Sequence, residues 1–235
     1  MIQIEEFVDE RQKSWCIHCG DYIVGLTTNW DHAPTESLLD EPIPPGLPKV
    51  RVCKPCNEGF SSDEEYFRTF LSCVLSGTTA PEGQKNSKVR RALARRPALG
   101  VEIEAGKREF STLGGGKMII WQPDAPRVER VVMKNARGHA FYEMGEPMLE
   151  KPDHVWVMPL VSLSREEVDE FENVATSGWA EVGSRMMVRQ ITGADLDDGW
   201  VVVQDNVYRY AVLQRGGLTV RSVIRNYLAT EVHWN

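Results

Sequence analysis

The sequence predicts an α+β chain in three regions, and three observations carry that reading. Two Cys-x-x-Cys pairs stand near the N-terminus, at Cys16/Cys19 and Cys53/Cys56. The middle of the chain repeats apolar residues at helical spacing. From about residue 155, β-branched and aromatic segments are broken by turn-forming pairs, the pattern of antiparallel hairpins. The expected organisation is a metal-stapled N-terminal unit over residues 1–76, a helical region over 77–150 and a β-rich C-terminal region over 151–235.

Taken in order, residues 14–60 are rich in Cys, Pro, Gly and Asp and show little periodicity, which suits a compact unit held by metal rather than by long elements. Tyr66, Phe67, Phe70, Leu71, Val74 and Leu75 then recur on one helical face. With Ser62 and Glu65 spaced as a capping box, they predict a helix over 63–76 that stops at Gly77. A second helix is expected over 88–96, with Val89, Ala92 and Leu93 inward and Pro97 closing it. "LGGGKMIIW" reads as a turn into a short strand, and residues 126–144 as a third helix. The strand candidates beyond it are "WAEVGSRMMVRQI", "GWVVVQDNVYRYAVLQ" and "LTVRSVIRNYL", with turns at Asp205-Asn206 and Gly216-Gly217.

A chain of 235 residues can bury a sizeable core, and its ordinary apolar content argues against disorder as the main state. Neither a run of eighteen apolar residues nor a signal-peptide pattern is visible, so a cytoplasmic location is expected. In that compartment thiols stay reduced, and two close cysteine pairs point to metal rather than disulfides. The net charge of −7 argues mildly against a protein that coats nucleic acid by charge alone. That charge is uneven: residues 1–80 hold six Lys or Arg against thirteen Asp or Glu, whereas residues 81–110 hold eight against four.

Each Cys-x-x-Cys puts two thiolates on one tight turn, and two such turns complete a tetrahedral S₄ shell for one structural zinc. The bland alternative is four reduced, buried cysteines. A structural zinc uses all its positions, so catalysis needs other groups. Between the pairs stands "NWDHAP", in which Asp31 offers a hard oxygen ligand and His32 a group that titrates near neutrality. Asn57 follows the last cysteine directly.

The order Cys-x-x-Cys, Asp-His-x-Pro, Cys-x-x-Cys-Asn over residues 14–67 resembles the HNH, or ββα-metal, endonucleases, and especially the zinc-stapled branch that includes phage recombination endonuclease VII. The resemblance implies a hairpin carrying the Asp-His pair and a helix carrying the last metal ligand. It implies His32 as general base, with Asp31 and Asn57 as ligands of a catalytic Mg²⁺ or Mn²⁺, acting on phosphodiester bonds in DNA. Phage defence and DNA processing are both consistent roles. The middle Asn of the family name would fall near Gly46, and no Asn stands between Asp31 and Cys53. A backbone carbonyl can hold the base through Nδ1 in its place.

Lys88, Arg91 and Arg95 share a face of the second helix and form the nearest positive stripe for phosphates; the bland reading is a solvated helix face. A solvated loop residue is the expectation for His18, a core position for Cys73, and structural or surface places for His139, His154 and His233. "RGHAFYE" carries no chemistry legible in the sequence. The C-terminal region is a candidate for substrate selection, for binding a protein partner or for self-association. The rival to the nuclease is a catalytically silent zinc module that only binds nucleic acid or a protein, and the discriminating residues are Asp31, His32 and Asn57.

Overall fold

The computed structural model describes residues 1–5, 12–111, 117–174, 178–214 and 216–235. In chain order the elements are β1 (Thr28–His32), β2 (Lys49–Cys53), α1 (Lys54–Gly59), α2 (Ser61–Ser76), α3 (Ser87–Arg95) and α4 (Pro97–Ala105). There follow β3 (Lys107–Ser111), β4 (Lys117–Trp121), α5 (Ala125–Met144), β5 (His154–Pro159), α6 (Arg165–Glu172) and α7 (Arg185–Thr192). The chain closes with β6 (Leu196–Asp197), β7 (Trp200–Gln204), β8 (Tyr208–Gln214), β9 (Leu218–Ile224) and β10 (Leu228–Trp234). Among the described residues no helix is long and apolar enough to cross a membrane.

The chain divides into two compact units, one of Met1–Gly59 with Val132–Asn235 and one of Phe60–Val131, which differ from the boundaries expected at 76 and 150. The first unit contains a six-stranded antiparallel sheet in the order β5-β10-β9-β8-β7-β6. Phe171, Val174, Trp200, Ala211, Leu213, Val223 and Ala229 form the core on one face of it. Strand alternation turns Tyr208, Tyr210 and Ser222 to the opposite face. There Tyr208 donates to Ser222 Oγ at 3.1 Å, and Tyr210 donates to Glu143 of α5 at 2.5 Å. Both faces are therefore covered, which explains the almost unbroken burial along β8 and β9.

Two of the strand readings need correction. The segment Trp179–Ile191 contains no strand: Arg185–Thr192 is helix α7. Ser184 caps it by accepting from the Met187 N–H, Gly193 ends it at φ 71°, and Arg189 is buried from it against Glu143. These end signals and one ion pair outweigh the β-propensity of its apolar residues. "LTVRSVIRNYL" is two strands, divided by a turn in which Arg225 and Asn226 both take positive φ. That geometry disfavours arginine, and the bidentate pairing of Arg225 with Asp40, at 2.7 Å for each contact, offsets the cost.

The second unit holds α2, α3 and α4 with the β3–β4 hairpin and the first residues of α5. The turn expected in "LGGGK" lies outside the described residues. Asp63 and Arg127 pair at 2.9 Å, and Tyr66 accepts from the Asp124 N–H at 2.7 Å. Cys73 is fully buried, as expected, and burial pushes its thiol up to about 11. Helix α2 begins without a side-chain cap; Ser62 donates to Asp63, so the expected capping box is not formed. Pro97 opens α4 rather than simply closing α3, since a proline at the first helical position loses no hydrogen bond.

Candidate metal centre

Two local structures bring the cysteines together. In the first, the Cys16 carbonyl accepts from the Gly20 N–H at 2.8 Å, and the Cys16 N–H donates to the Asp21 carbonyl at 2.9 Å. The turn requires φ 77° at Gly20, which a side chain would resist. In the second, β2 ends at Cys53 and runs directly into α1, which presents Cys56 three residues on. The four Sγ atoms of Cys16, Cys19, Cys53 and Cys56 lie within 4.8 Å of one another.

The donor set fits zinc. A tetrahedral shell with sulfur about 2.3 Å from the metal has sulfur–sulfur edges of about 3.8 Å, and Cys19 Sγ lies 3.8 Å from Cys53 Sγ. All four thiols are free; Ile17, Ile23, Val50, Val52 and Phe141 pack with Cys16, Cys53 and Cys56, and Cys19 is exposed. At Cys16, Cys19 and Cys56 burial works against ionisation. At Cys16 hydrogen bonds from the backbone of Cys53, Cys19 and His18 outweigh it and lower the thiol; Cys19 is pushed up to about 11, and Cys56 is raised further by burial and by its sulfur neighbours. A divalent cation resolves this conflict by taking the sulfurs as thiolates.

β1 pairs antiparallel with β2 in a register that opposes Trp30 to Arg51, Asp31 to Val50 and His32 to Lys49. Alternation then sorts the hairpin into two faces. The inner face carries Asp31, Val50 and Val52, all buried; the outer face carries Thr28, Trp30, His32, Lys49 and Arg51. Asp31 and His32, adjacent in sequence, thus point to opposite sides.

Asp31 is 5% exposed and both its oxygens are engaged. Oδ1 lies 2.7 Å from Lys134 Nζ and Oδ2 lies 2.9 Å from His18 Nε2. Burial alone would raise this carboxyl; the hydrogen bond from His18 and the charge of Lys134 prevail and hold it below the usual carboxylate range. His18 is not the solvated loop residue expected from the sequence: its side chain is 3% exposed, and burial lowers its pKa. His32 is half-buried at the end of β1, with Nδ1 3.5 Å from Glu36 Oε1, an ion-pair distance longer than a hydrogen bond. Asn57 sits half-buried on α1.

Sequence reasoning missed Lys134, Arg137 and Glu36. Glu36 had a signal, its i,i+4 spacing from His32; the other two come from α5, more than a hundred positions away, and had none. Arg137 donates to the His18 carbonyl at 2.8 Å, and Gly138 lets α5 approach Ala33, whose Cβ would lie 2.6 Å from a Cβ at Gly138. His139 stacks on Tyr210 at 3.7 Å, so "RGHAFYE" is a joint between the cysteine region and the sheet. In the other unit, Arg91 and Arg95 are exposed on α3 and Lys88 is half-buried, on the side away from Val89, Ala92 and Leu93.

A scan against protein-family models finds no match, and searches of curated proteins and of solved structures find none either.

Proposed function

We propose that the hairpin and its cysteine centre form a zinc-stapled HNH-type endonuclease acting on phosphodiester bonds in DNA, with His32 as general base. The observation that carries this reading is the order of parts. A two-stranded hairpin ending in Asp31-His32 leads through Cys53 into α1, which bears Cys56 and Asn57, and the four cysteines meet at its base. His32 is solvent-accessible on the outer face, and Glu36 beside Nδ1 favours the tautomer that leaves Nε2 to accept a proton from water. Lys49, directly across the hairpin, supplies positive charge for the phosphate.

The Mg²⁺ or Mn²⁺ that the resemblance places on Asp31 and Asn57 does not fit these residues as arranged. Asp31 is buried, and both of its oxygens are already bonded to Lys134 and His18. The same observation favours a second reading, in which Asp31 is purely structural and the unit binds nucleic acid or protein without cutting.

The test is nicking of supercoiled plasmid by the zinc-loaded chain, with Mg²⁺, with Mn²⁺ and with no added divalent ion, beside His32→Ala. Nicking by the parent and not by His32→Ala supports the nuclease. Intact plasmid in every arm, with retained DNA binding, establishes the silent module instead.

A further inference from the structure

The outer face of the hairpin is chemically unlike the rest of an acidic chain. Its cross-strand pairs are Trp30 with Arg51 and His32 with Lys49, so one short surface carries an indole, a guanidinium, an ammonium and an imidazole. Trp30 keeps 58% of its surface in solvent although burial would stabilise it, and Lys49 and Arg51 are both exposed. Lys49 Nζ stands 5.4 Å from the ring centroid, and Arg51, opposite Trp30 in the register, is steadied by donating from Nε to Thr28 Oγ1 at 2.8 Å.

We infer that this face is a binding site for single-stranded nucleic acid, in which a nucleobase stacks on Trp30 while Lys49 and Arg51 hold the flanking phosphates beside His32. An exposed indole flanked by cations matches a strand whose bases are unpaired, because stacking needs a free base face and the cations need a polyanion. A duplex buries its base faces and leaves the ring without a partner. The site rests on the nuclease reading for its choice of ligand, and it adds a strand preference, a stacking platform at Trp30 and a phosphate contact at Arg51 which that reading does not contain. It also differs from the α3 stripe, which has no aromatic residue among its cations.

The experiment uses the zinc-loaded full chain with no added Mg²⁺ and a fluorescein-labelled oligothymidylate of about twelve nucleotides, a length suited to such surfaces. Affinity is read by anisotropy over a salt series. Trp30→Thr, which keeps a strand-forming residue and removes the ring, should weaken binding about tenfold, and Trp30→Phe should recover most of it. Lys49→Gln with Arg51→Gln should reduce the slope of log affinity against log salt by about 1.4, the value for two single-strand phosphate contacts. Zinc content and circular dichroism establish that each variant is folded. Binding by folded Trp30→Thr within roughly twofold of the parent overturns the site, as does displacement of the oligonucleotide by oligoglutamate as readily as by unlabelled strand. Oligonucleotide binding through this face without plasmid nicking removes the nuclease and keeps the site. Nicking with binding unaffected by the face variants does the reverse.

Discussion

Lys134 Nζ lies 2.7 Å from Asp31 Oδ1, and neither side chain is more than 5% exposed. Two opposite charges are thus buried as a pair, with His18 completing the carboxylate's hydrogen bonds. Removing one partner leaves the other charged and desolvated. Lys134→Met or Asp31→Asn should therefore each destabilise the first unit by about 3–5 kcal/mol, while the double variant recovers much of that loss. Denaturant unfolding of the zinc-loaded protein measures the cycle. Additive losses would show that the two side chains do not act as a pair.

The cysteine centre predicts one zinc per chain. Cys16→Ser and Cys56→Ser should lose the metal and unfold the first unit, whereas Cys73→Ser, altered at a buried position outside the cluster, should keep it. Elemental analysis with circular dichroism decides the matter. A folded, zinc-free Cys56→Ser protein would contradict the assignment.

His32→Ala should reduce nicking about a hundredfold or more, the order of a general-base contribution, with zinc content and melting temperature unchanged. Glu36→Gln should retain some activity, since at 3.5 Å Glu36 orients the ring without holding it tightly. A metal-depleted His32→Ala protein would mark this residue as structural.

His139 is fully buried, and burial first, then the nearby Arg189 charge, lowers its pKa from 6.5 to about 3. It is neutral in the folded chain and titrates at its ordinary value when unfolded. Its contribution is fully present above about pH 6.5 and is lost as pH falls from there toward 3, at about 1.4 kcal/mol per pH unit. His139→Phe should flatten the acid side of the stability profile by that slope. Unfolding at several pH values in parallel with the parent checks it, and zinc release, common to both proteins, cancels in the difference. Superimposable slopes would place the titration elsewhere.

Lys88, Arg91 and Arg95 on α3 remain a second candidate for phosphate contact. Their joint replacement by Gln should lower the salt slope for duplex DNA by up to about three, with little change across sequences. On the C-terminal strands and turn, Arg209 pairs with Glu172, Arg221 with Glu231 and Arg225 with Asp40. An unchanged slope would leave the hairpin face as the remaining cationic surface proposed for DNA.

What the sequence made legible was local. Residues 126–144 read as helix because their period spans several turns, and the four cysteines read as one cluster because each pair fixes its own turn. The misreadings arose where distant residues decide. Trp179–Ile191 reads as strand until Glu143, far off in the chain, is found to hold Arg189 in the core. His18 reads as solvated until Asp31 and α5 cover it. Asp31 itself reads as an open metal ligand, because nothing near it in sequence announces Lys134.

The order of synthesis matters for such a centre. Arg137 and the His18 carbonyl it binds are 119 positions apart, so at common elongation rates of about 5–20 residues per second roughly 6–24 s separate their appearance on the ribosome. In the later part of that interval, once Cys56 has been added, both cysteine pairs and the hairpin are already made, while Asp31 still lacks its buried cation. A nascent chain can therefore capture zinc early and complete its polar interior late. A fragment ending at residue 76 would stay in that early condition, with Asp31 lacking Lys134 and the His18 carbonyl lacking Arg137.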